Sequence, residues 1–138
     1  MGDYSSIGIT IFKDDIKKFR SVLEDHNREF PGDPYNKRFD EKGNLIIDID
    51  QANSGWDSEL KSAAEAELRF YGWDSGCIGA WAESEFCAID GKIYSAVTPC
   101  DFGPMVRLRE NGEPVKEDVR ETMAFYKALK RVKKVMGL

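Results

Sequence analysis

The chain has 138 residues, 41% of them hydrophobic, 33% charged and 12% aromatic, with a formal net charge of −5. That length suits one domain, read as residues 1–138, and the aromatic content with well-spaced apolar runs argues against wholesale disorder. No segment approaches the ~18 apolar residues needed to span a bilayer, and no basic stretch followed by an apolar one opens the chain, so a cytoplasmic location without membrane contact is expected.

In chain order, Ile7, Ile9 and Ile11 alternate with Gly8 and Thr10, the period-two pattern of a half-buried strand. Ile16, Phe19, Leu23, His26 and Phe30 then recur at helical spacing behind Asp14, a candidate N-cap, and Pro31-Gly32-Asp33-Pro34 should stop that helix. The stretch from Pro31 to Gly43 is polar and reads as loop. Asn44–Asp50 is a second strand, with Leu45, Ile47 and Ile49 on one face and Ile46, Asp48 and Asp50 on the other. A helix is expected from about Trp56 to Tyr71, with Leu60, Ala64, Leu68 and Tyr71 facing the core.

Cys77–Ala82 is strand-like but diluted by Gly and Ala. Phe86–Ile89 and Lys92–Val97 flank Asp90-Gly91, a dipeptide that selects a type I′ hairpin turn. Met105–Arg109 reads as a further short strand closed by Asn111-Gly112. A last helix, opened by Pro114, should bury Val119, Met123, Tyr126, Leu129, Val132 and Met136. The order β-α-β-α-β-β-β-α points to an α+β fold, a mostly antiparallel sheet with about three helices on one face.

Motifs that fix a reaction are missing. The sequence holds no C-x-x-C, Walker A, G-x-G-x-x-G or G-x-S-x-G, so no cofactor and no metal is assigned. Cys77, Cys87 and Cys100, an odd number, are read as reduced thiols in strands rather than a disulfide framework, and His26 is the only imidazole that could activate one of them.

Charge is the most informative feature. Residues 40–101 carry thirteen Asp/Glu against four Lys/Arg, a balance of −9, whereas residues 120–138 carry a balance of +5. Gly55-Trp56-Asp57-Ser58 echoes as Gly72-Trp73-Asp74-Ser75, placing tryptophans at both ends of the second helix. Trp56, Glu59, Glu65, Glu67, Trp73 and Asp74 therefore form the candidate binding surface, with the three glutamates turned outward. The expected activity is that of a small protein-binding module, an inhibitor or accessory regulator that meets a basic surface of another protein.

An alternative makes Asp48 and Asp50 a divalent-metal site for phosphoryl or nucleotide chemistry, with Asp57 or Asp74 drawn close. A minor alternative uses Lys127, Lys130, Arg131 and Lys134, which share one face of the last helix, to grip nucleic acid. Overall acidity and the lack of an RRM, KH or helix-turn-helix signature disfavour it. Oligomeric state is not legible at this level.

Overall fold

Ile7, Ile9 and Ile11 lie within β1 (Tyr4–Ile11) in the computed structural model, which describes residues 3–30, 37–99 and 103–138. The other elements are α1 (Ile16–Asp25), β2 (Lys37–Phe39), β3 (Leu45–Asn53), α2 (Asp57–Glu65), β4 (Phe70–Asp74), β5 (Ser84–Ile89), β6 (Lys92–Val97) and α3 (Lys116–Val135). The strands form one sheet in the order β2-β3-β1-β4-β5-β6, and every adjacent pair is antiparallel. The α+β class is thus as expected. Among the described residues no helix is long and apolar enough to cross a membrane.

The helices divide between the two faces rather than sharing one. Ile7, Ile9, Leu45, Ile47, Phe70 and Ala88 pack with Phe19 and Leu23 of α1 and Leu60 and Ala64 of α2. Cys87, Ile89 and Ala96 point the other way and pack with Phe125, Ala128 and Val132 of α3. The cause lies in β5, whose Phe86-Cys87-Ala88-Ile89 run is apolar at every position and so needs cover on both sides.

The phase of α3 accordingly differs from expectation. Phe125, Ala128, Val132 and Met136 are buried, whereas Met123 is 68% and Tyr126 39% exposed. Met123 and Tyr126 share helical spacing with Val119, but Phe125 and Ala128 also fit a period of 3.6, and the sheet selects them.

Further differences follow along the chain. Helices α1 and α2 end early in Schellman motifs. In α1, Arg28 N–H reaches Leu23 O at 2.8 Å and Asn27 takes φ +56°. In α2, Leu68 N–H reaches Ala63 O at 3.1 Å and Glu67 takes φ +65°, a conformation its residue type does not announce. The chain released after α2 forms β4, so Tyr71 lies in a strand. Cys77–Ala82 is reduced to a single bridge between Cys77 and Trp81, and Met105–Arg109 to one between Leu108 and Pro114. Finally, β2 emerges from the stretch expected as loop. The Pro31–Pro34 stop and Cys100 lie outside the described residues.

The hairpin is as expected, with Asp90 at φ +55° and Gly91 at φ +80°. At the start of α3, Asp118 accepts the backbone N–H of Arg107 at 2.9 Å and its guanidinium at 2.8 and 2.9 Å, bonds that hold the Asp118 carboxyl down to about 2.

Two buried polar groups tie the layers together. Asn44 is fully buried; its side chain accepts Lys13 N–H and donates to Asp40 and to Met136 O at the end of α3. Asp15, 3% exposed, accepts the backbone N–H of Arg69 at 2.9 Å and both arms of its guanidinium at 3.0 Å. Arg69 also stacks over Phe12, 4.6 Å from the ring centre. Arg69→Ala would strand the Asp15 carboxylate without its cation, and should lower unfolding stability by about 3 kcal/mol in a urea titration. A change within about 0.5 kcal/mol, the range of ordinary surface substitutions, would show the clasp to be dispensable.

Candidate functional site

A concavity on the α1/α2 face lies between the N-terminus of α2 and strands β4 to β6. It has a volume of about 480 Å³ and is walled by Trp81, Phe86, Leu60 and Ile93, with Asp57 and Asp74 as its charged groups. The two aspartates are the echoed positions of the Gly-Trp-Asp-Ser tetrads, brought to one cleft from a helix start and a strand end.

Asp74 is held firmly. Its Oδ1 accepts Gly76 N–H at 2.8 Å and the Trp81 indole N–H at 3.0 Å, fixing carboxylate and ring together. Its Oδ2 sits where a side chain on Gly55 would have to be, so any larger residue at position 55 would push the carboxylate aside. Beside it lies the Ser5 hydroxyl, buried and without a hydrogen-bond partner. Ser54, Gly55 and Trp56 all adopt positive φ, at +51°, +61° and +56°. This left-handed turn costs roughly 1–2 kcal/mol for each non-glycine residue. Burial of Trp56, whose ring carries the Arg28 guanidinium at 5.5 Å, offsets that cost.

The structure separates the other residues singled out from the sequence. Trp56 is buried rather than displayed. Trp73 is 45% exposed on the opposite sheet face, its indole laid over Gly8, whose missing Cβ makes room for the ring. Leu60, Ala64 and Leu68 are buried as expected. Glu65 and Glu67 are exposed. Glu59, expected outward, is 7% exposed and lies 3.7 Å from both His26 Nδ1 and Arg28 Nε. The early end of α1 explains this, because it folds His26 and Arg28 back against α2.

His26 Nε2 lies 2.9 Å from Ser62 Oγ, so Ser62, His26 and Glu59 stand in the order of a hydrolytic triad. Ser62 lies inside α2, however, where the neighbouring backbone N–H groups are spent on the helix rather than left to hold an oxyanion. These residues clasp α1 to α2.

Asp48 shares its face with Asp50, as expected, but is bonded to Arg38 at 2.6 Å, and Asp50 faces the Ser6 hydroxyl at 3.4 Å. Strand register puts Asp74 on the other face, opposite Ile7, so it does not join them. Among the described residues no three His, Cys, Asp or Glu side chains converge as metal ligands. Lys127, Lys130, Arg131 and Lys134 are all exposed on α3, and Arg131 is bonded to Asp90 in the β5–β6 turn.

No protein-family model matches the chain, and no curated protein or solved structure shows significant similarity to it.

Among the described residues, neither Cys77 nor Cys87 is bonded to His26. Cys87 is fully buried with its thiol on Phe125 O at 3.9 Å, and burial pushes its pKa up to about 12. Brief iodoacetamide treatment of the native protein at mildly alkaline pH should therefore alkylate Cys77 and spare Cys87. Equal labelling of the two by peptide mass spectrometry would contradict this packing.

Proposed function

We propose that the chain is a protein-binding module, of the inhibitor or accessory-regulator kind, whose α2-side cleft receives a Lys or Arg side chain from a basic surface of its partner. The observation that carries this reading is the lining itself, which combines Asp57 and Asp74 with the rings of Trp81 and Phe86 and includes no Lys or Arg. Carboxylates pair with guanidinium or ammonium groups, and aromatic faces attract the same cations. Asp74 and Trp81 are bonded to each other, so little ordering remains to be done on binding. The −9 balance over residues 40–101 adds a long-range field that steers a basic partner toward this half of the molecule.

The metal-site reading finds less support, since Asp48 is engaged by Arg38 and stands apart from Asp74. The nucleic-acid reading loses one of its cations to Asp90.

Titration calorimetry with a tetra-arginine peptide tests the proposal. Asp57→Asn with Asp74→Asn should weaken binding by at least ~10-fold, the loss expected on removing charge-assisted partners. Lys127→Glu with Lys130→Glu should not weaken it. A double Asn variant that binds as tightly as the parent would remove the cleft from consideration.

A further inference from the structure

Strand β6 ends the sheet, and its outward backbone groups follow from the hairpin. In a two-residue hairpin the flanking pair, Ile89 and Lys92, exchanges both hydrogen bonds, and the pattern then alternates along the ladder. Lys92, Tyr94 and Ala96 therefore bond to β5, while Ile93, Ser95 and Val97 direct their N–H and C=O groups away from the sheet. Met105 N–H takes the Val97 carbonyl at 2.8 Å, as this alternation requires. Among the described residues no backbone partner meets Ile93 or Ser95 on that side.

The two edges of the sheet are unlike. At the other end β2 is three residues long and carries Lys37 and Arg38, common guards against strand addition. In β6 there is neither proline nor bulge, its one charge, Lys92, stands at the turn, and Ile93 is 40% exposed. Ser95 pairs with Phe86, whose ring packs on the α1/α2 face, so Ile93 and Ser95 turn their side chains there too and line the acidic cleft. The open backbone and the cleft thus share the same two residues.

Resting on the cleft as receptor for a Lys or Arg side chain, we infer that the partner's basic segment binds as an extended strand added to β6. The occupant is basic because Asp57 and Asp74 are the cleft's charged groups, and extended because a strand meets both open residues at once. An antiparallel segment needs only three residues to do so. Its first and third residues exchange paired hydrogen bonds with Ser95 and Ile93, and their side chains emerge on the cleft face. Its middle residue lies opposite Tyr94, on the α3 face. Asp74 pairs with Ser84, and Ser84 with Val97, so this carboxylate lies toward the Val97 end of the cleft. The cation therefore belongs to the residue opposite Ser95. A tetrapeptide spans Ala96 to Ile93, stops short of the Val97 carbonyl that Met105 occupies, and sets no charge against Lys92.

Titration calorimetry with tetra-arginine and with its fully backbone N-methylated counterpart, of equal charge, tests the inference. The methylated peptide should bind at least ~10-fold more weakly, having lost the donors that face Ser95 and Ile93. Ser95→Pro removes only an outward N–H, which an edge strand tolerates. It should weaken the unmethylated peptide about 5-fold with the circular dichroism spectrum unchanged, whereas Ser95→Ala should bind as the parent does. Amide exchange at Ile93 and Ser95 should slow when tetra-arginine is added. Equal binding of the two peptides would overturn the inference and leave the cleft reading standing. Binding of neither would overturn both. Slow exchange of Ile93 and Ser95 in the free protein would mean that the edge is already covered, as by a second copy, and would also overturn the inference.

Discussion

The contact between Asp15 and Arg69 sets the geometry on which the rest depends. Asp15 stands at the turn between β1 and α1, and Arg69 stands one residue before β4. By taking the Arg69 backbone N–H as well as its guanidinium, the carboxylate fixes where the chain leaves α2 and enters the sheet. Phe12 N–H bonded to Arg69 O seals the same junction from the other side. Slippage by one residue would turn Asp74 to the opposite face of the sheet, because strand side chains alternate. The registers of β4 with β1 and β5 place Asp74 between Ile7 and Ser84, on the face where α2 delivers Asp57. A buried ion pair adds little net stability over an apolar pair, but it specifies one arrangement among several.

Much of this was legible in the sequence, for reasons that can be named. The alternation of Ile7, Ile9 and Ile11, the apolar face of β3 and the Asp90-Gly91 turn are local signals that the tertiary structure reinforces. What escaped were decisions made by distant partners. Glu67 ends α2 in a left-handed conformation that only Gly or Asn would have advertised, so the helical pattern runs on through Phe70 and Tyr71 although these aromatic residues favour a strand. The inward face of α3 was ambiguous between two stripes, and β5, apolar on both sides, chose between them.

The candidate surface fared unevenly for a similar reason. Charge balance identified the acidic middle of the chain, but a residue count has no direction. Glu59 is spent between α1 and α2, Trp56 supports a strained turn, and Trp73 covers Gly8 on the far face. Asp74 is the member that reaches the cleft. The tetrad echo was the signal that could have joined it to Asp57, had its two aspartates been weighed rather than its tryptophans. Trp81 and Phe86 were beyond reach, because their convergence depends on a bridge at Cys77 and on β5 register.

Acidic cleft and open strand edge are neighbours, since Ile93 and Ser95 border both. The basic face of α3 lies across the sheet from the cleft, and it meets the acidic half of the chain where Arg131 is bonded to Asp90.

The most direct measurement is chemical-shift mapping of the labelled protein as the arginine peptide is added. Saturable shifts centred on the Trp81 indole N–H and on the amides of Ser54, Gly55 and Asp57, fading as salt is raised, are the expected result. Shifts confined to the exposed Glu65 and Glu67, or an unmoved Trp81 indole at saturation, would contradict it.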